Sequence, residues 1–78
     1  MYEVQYIIKN WKHEAKARRV IQYKYIRNEN KLILYTSEPG ILIGAHGRLI
    51  EKYTKLLQEV VYPNIRKVDL VEVESHWA

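Results

Sequence analysis

The chain has 78 residues, 47% hydrophobic and 28% charged, with 13 Lys/Arg against 9 Asp/Glu and no cysteine. Such a composition is globular rather than disordered, rules out disulfides and thiolate metal sites, and leaves room for one domain (residues 1–78) with one core and one groove but no deep enclosed active site. No apolar run reaches the length of a membrane span or a signal core, so a cytoplasmic chain without membrane contact is expected.

Val4, Ile7, Ile8, Trp11 and Ala15 recur at i, i+3, i+4, i+7 and i+11, which predicts an α-helix over about 3–16. Lys9, Lys12 and Lys16 lie off that stripe and, with Arg18 and Arg19, could form a basic strip. The charge is lopsided in the same direction. Residues 1–28 carry seven Lys/Arg and two Asp/Glu, a balance of +5, whereas residues 29–78 carry six and seven, a balance of −1. A basic excess is compatible with a polyanionic partner, and equally with plain solubility.

Arg19 to Ile26 is rich in β-branched and aromatic residues, Asn28, Glu29 and Asn30 form a turn cluster, and Lys31 to Thr36 is again β-prone. Two such runs joined by a short polar turn predict an antiparallel hairpin. Leu32 and Leu34 should face one side and Ile33 and Tyr35 the other. So little polar alternation places the second strand in the middle of the sheet.

Ser37 is a candidate cap for a short helix with Pro39 in its first turn, where the missing N–H goes unneeded. That helix cannot pass Gly44. A longer one should start at Gly47 or Arg48, with Leu49, Ile50, Tyr53, Leu56, Leu57, Val60 and Val61 at helical spacing. Glu51 and Lys55 stand i,i+4 in the favourable order, and Pro63-Asn64 ends the helix. Ile65 to Glu74 reads as a last strand, and residues 75–78 as a fraying end.

Between the two helices runs Gly44-Ala45-His46-Gly47. A glycine lacks the side chain that would hold a ligand's backbone away, and it accepts positive φ. The second helix begins at that point, where its first N–H groups lack intrahelical acceptors and its dipole end is positive, which favours phosphate. Arg48 and Lys52 add charge at the same end. Ile41, Leu42 and Ile43, just before the loop, could floor a groove, although Ile41, Ile43 and Ile50 are by default core residues.

The stretch PGILIGAHGRLIEKYTKLLQEV, with its G-x-x-G loop, resembles the core of a KH domain, closely from about Lys31 to Val73 and in element order alone over residues 17–30. The order α-β-β-α-α-β resembles the type II arrangement found in a small-subunit ribosomal protein. The resemblance implies an α+β fold: a three-stranded mixed sheet ordered first, second, third strand, the last two parallel, packed against three helices. It also implies non-catalytic clamping of a single strand, RNA or single-stranded DNA, by the loop. The site residues would be Ile41, Ile43, Gly44, Ala45, His46, Gly47, Arg48, Ile50 and Lys52, with no metal or other cofactor. Loops of this family that bind usually carry Lys or Arg between the glycines, where this chain has Ala45 and His46. A second expectation follows from that departure: a KH-fold interaction module that docks on a ribosome or ribonucleoprotein with little affinity for RNA. Enzymatic readings are poor. His13-Glu14 is a near miss of H-E-x-x-H, with Ala17 where the second histidine would stand, and Ser37 and Ser75 have no evident His–acid partners.

Overall fold

The computed structural model describes residues 2–18 and 20–74, with the backbone alone for Tyr2, Val20 and Ile21. Arg19, read as the start of the first strand, and residues 75–78, read as a fraying end, lie outside the described residues. The element order is α1 (Tyr2–Ala15), β1 (Val20–Ile26), β2 (Lys31–Thr36), α2 (Pro39–Ile43), a single 3₁₀ turn (Ala45–Gly47), α3 (Arg48–Val60) and β3 (Lys67–Glu72). This is the α+β arrangement that the sequence implies.

The sheet is ordered β1-β2-β3. β1 and β2 form an antiparallel hairpin running from Val20 opposite Thr36 to Ile26 opposite Lys31, with an irregularity between Val20 and Gln22. β3 lies parallel to β2, with Lys31 opposite Lys67 and Thr36 opposite Glu72. A parallel neighbour needs a long crossover, which α2 and α3 supply. Because successive side chains of a strand point to opposite faces, Leu32, Leu34 and Thr36 are buried under the helices while Lys31, Ile33 and Tyr35 are half-buried on the other side.

The core joins Val4, Ile7, Ile8 and Trp11 of α1 to Leu32 and Leu34 of β2, Leu42 of α2, Tyr53 and Leu57 of α3, and Ile65 and Val68. Ile65 was expected in the last strand; it sits before it, as a core anchor of the connecting segment. Trp11 stacks on Tyr53 with ring centroids 5.2 Å apart. Tyr62, just past α3, stacks on Tyr25 at 3.9 Å, so the tyrosines of this end pack against one another and the core.

Two local expectations are corrected. Glu38, not Ser37, occupies the N-cap of α2, and its side chain makes no cap hydrogen bond there. Its backbone N–H instead donates to the Thr36 hydroxyl at 3.0 Å. Thr36 is the buried polar residue at the end of the central strand, so the strand it finishes also fixes the start of the helix. The Glu51–Lys55 pair does not form; the ion pairs among described residues are Lys31 with Glu29 and Asp69, Lys67 with Asp69, and Lys52 with Glu14. An exposed i,i+4 pair contributes a few tenths of a kcal/mol at most, about 0.3–0.5, and is easily given up to solvent.

Candidate nucleic-acid interface

The loop is held from beneath at both ends. On the α2 side, the Trp11 indole N–H donates to the Leu42 carbonyl at 2.8 Å, satisfying an oxygen that the end of so short a helix leaves without an intrahelical donor. The Gly44 N–H donates to the Gly40 carbonyl. On the α3 side, Leu49 packs under Gly44: a Cβ added to that glycine would lie 2.9 Å from Leu49 Cγ and 3.2 Å from its backbone nitrogen. A side chain at Gly44 would therefore have to displace Leu49, on a backbone of positive φ.

Three of the four loop residues have positive φ: Gly44 (+79°), His46 (+58°) and Gly47 (+73°). Histidine in that region is uncommon and strained. Ala45 and His46 are exposed at the tip, above the N-terminus of α3. A Cβ at Gly47 would meet nothing closer than Ile50 Cγ2 at 3.9 Å, so the surface over Gly47 is open to an approaching backbone.

The expected site residues fall on two flanks of α3 rather than in one groove. Gly44, Ala45, Arg48 and Lys52 line an open depression of about 540 Å³ together with Glu14 and Leu49. Ile50 is two positions from both Arg48 and Lys52, about 160° around the helix from each, and lies half-buried below Gly47 on the opposite flank. Ile41 and Ile43 are 42% and 38% exposed, whereas Leu42 between them is fully buried. The default assignment of Ile41 and Ile43 to the core is thus overturned: on a five-residue helix with one face packed inward, Leu42 alone takes that face.

The charges of the site are linked. Lys52 Nζ lies 2.8 Å from Glu14 Oε1, and the Tyr53 hydroxyl donates to the same oxygen at 2.5 Å. The hydrogen bond from Lys52, then that from Tyr53, holds the Glu14 carboxyl below its ordinary range. Burial first, and the Glu14 carboxylate second, push Tyr53 up to about 12. Lys52 is therefore not a simple solvated lysine, while Arg48 forms no ion pair among the described residues. Glu14 and Leu49 were not foreseen as site residues. Leu49 was legible only as part of the core stripe. Glu14 gave one signal, its place three residues after Trp11 on the edge of the buried face of α1.

A KH domain family model matches residues 3–78, nearly the whole chain, and the chain belongs to that family. KH domains are in general non-catalytic modules that bind nucleic acid, and the element order here is that of the type II arrangement. Among solved structures, the crystal structure of APE1850 is 27% identical and superposes with a TM-score of 0.61 over 91% of this chain and 47% of its own. The chain thus spans just under half the length of that protein. No curated protein matches it significantly.

Proposed function

We propose that the chain binds single-stranded nucleic acid, RNA or single-stranded DNA, by clamping about four nucleotides of backbone at Gly44–Gly47, without catalysis. The observation that carries this reading is the loop itself. Its backbone has positive φ at three of four positions and is open above Gly47, and it sits where the α3 dipole and first N–H groups favour phosphate. Arg48, without an ion-pair partner among the described residues, supplies a positive charge on the same turn. Ile41 and Ile43, exposed on one side of the loop, and Ile50 below Gly47 offer apolar surface for a base. A cytoplasmic location belongs to the same proposal.

Titration with short single-stranded oligonucleotides at several salt concentrations tests it. Binding should weaken with salt, since phosphate contacts release counterions.

One observation favours a second reading, an interaction module that docks on a ribosome or ribonucleoprotein. The tip has no fixed cation between its glycines, and Lys52 is held by Glu14. On that reading no oligonucleotide binds, and Ile41 and Ile43 are the contact for a protein partner.

A further inference from the structure

From Lys9 onward the outward face of α1 carries charge of a single sign; the helix's other acidic residue, exposed Glu3, stands in its first turn. Between Val4 and Arg18 the chain has one acidic residue, Glu14, and the fold turns it onto Lys52 and Tyr53 of α3. What remains toward solvent is Lys9, half-exposed Lys12, His13, Lys16 and Arg18. None of these side chains forms an ion pair among the described residues. At 100° per residue, Lys9 and Lys12 lie about 140° and 160° around the helix from Glu14, so they face away from α3 and from the depression beside the loop.

Lys16 adds an independent sign. It has φ +59°, directly after the last residue of α1, and the chain reverses there through Lys16 N–H to the His13 carbonyl and Ala17 N–H to the Lys12 carbonyl, both 3.1 Å. Glycine is the favoured residue at such a helix end. A strained lysine stands there instead, and its cation continues the row of Lys9 and Lys12.

The row also leads toward the loop. The Arg18 N–H donates to Glu38 Oε1 at 2.6 Å, which fixes the end of the row against the start of α2, the helix that runs into Gly44. From Lys9 to the end of α1 at Ala15 the helix rises about 9 Å, or about three steps of a stacked strand at 3.4 Å each.

We propose that Lys9, Lys12, Lys16 and Arg18 form a second, sequence-independent contact for the nucleic-acid backbone, taken up by nucleotides beyond those clamped at the loop. This rests on the reading of the chain as a nucleic-acid binder. Charge complementarity selects a polyanion, and the packing selects nucleic acid over an anionic lipid surface. The apolar stripe of α1, Val4, Ile7, Ile8 and Trp11, is buried in the core, and Tyr6 is the single large apolar side chain exposed on the described part of the helix, so the helix has no apolar face to lay into a bilayer.

The test compares fluorescently labelled U4 and U20 RNA across a salt series, with the parent chain, a Lys9→Gln/Lys12→Gln/Lys16→Gln variant and an Ala45→Asp/His46→Asp variant. Glutamine keeps the helix propensity of lysine, and circular dichroism verifies each fold. The triple variant should bind U4 as the parent does, lose at least tenfold in affinity for U20 at low salt, and flatten the U20 log–log salt slope by about 2, at roughly 0.7 per phosphate contact. The double Asp variant should lose U4 and keep weak, salt-sensitive binding of U20. A triple variant with the parental slope on U20 overturns the second contact while U4 binding leaves the loop reading standing. Failure of the parent to bind either RNA overturns both. Binding of the parent to phosphatidylserine vesicles, lost in the triple variant, with U20 unaffected, reassigns the face to a lipid surface and overturns the proposal.

Discussion

The two ends of the loop hold the same residue for different reasons. Gly44 has φ +79° and ψ 173°, a conformation essentially restricted to glycine, and Leu49 fills the space where its Cβ would go. Gly47 has φ +73° and ψ 19°, a left-handed conformation that asparagine and aspartate also visit, and the space over it is empty out to 3.9 Å. At Gly44 the close approach comes from inside, from the protein's own core. At Gly47 no neighbour inside the protein demands a missing side chain, and the room over it is open. A pair of glycines that looks symmetric in the sequence thus separates into an anchor and an opening.

The largest expected effect tests the anchor. Gly44→Ala should destabilise the chain by about 3 kcal/mol, combining backbone strain of about 1–3 kcal/mol with overpacking of about 1–3 kcal/mol, read as a lower urea midpoint at unchanged m. Gly47→Ala, with no clash, should cost only about 1–2 kcal/mol for the left-handed backbone. Equal losses at the two positions would break the distinction.

The next effect tests the opening. Ala45→Asp with His46→Asp sets two negative charges at the α3 N-terminus, where phosphate is proposed to lie. Tetranucleotide affinity should fall at least about 30-fold, equivalent to about 2 kcal/mol, while the thermal melt stays close to the parent because both side chains are exposed and aspartate tolerates positive φ.

A smaller effect separates two cations on one flank. Arg48→Ala should flatten the tetranucleotide salt slope by roughly 0.7, the loss of one phosphate contact to a single strand. Lys52→Ala should flatten it by less, since Lys52 is already held by Glu14. Glu14→Gln should then strengthen binding, and that gain should vanish when Lys52 is also replaced. Parental affinity in the Glu14→Gln variant would show that the ion pair does not compete with nucleic acid.

The smallest effect is at the tip. His46 is exposed at the start of α3, where a fixed cation would add to the attraction for phosphate. His46→Lys should strengthen tetranucleotide binding modestly and steepen its salt slope by up to about 0.7, one added phosphate contact to a single strand. An unchanged slope would place the tip outside the contact.

Most of the elements were readable because they rest on periodicity, whereas the sheet order and the parallel last strand came from the family resemblance. The stripe of α3 from Leu49 to Val61, the alternation around Leu32 and Leu34, and the breaks at Gly44 and Pro63 are local signals, and the elements follow them. The loop was readable for the same reason, as two glycines at a helix junction. What escaped the sequence depends on how elements meet. Thr36 holding the start of α2, Leu49 lying under Gly44, and Glu14 reaching across from α1 to Lys52 and Tyr53 are each set by the distance between elements, which no spacing along the chain encodes. The exposure of Ile41 and Ile43 belongs to the same class, since a five-residue helix shows no periodicity from which its buried face could be read.

The most direct test of the central claim, that the Gly44–Gly47 loop is where nucleic acid docks, is an amide NMR titration of the chain with random tetranucleotides. Shifts should concentrate from Ile41 to Lys52, reach Glu14 through its pair with Lys52, and extend into β2, with residues 3–13 nearly still, because a tetranucleotide is too short to leave the clamp. Shifts confined to residues 3–18, or none at saturating oligonucleotide, would contradict it.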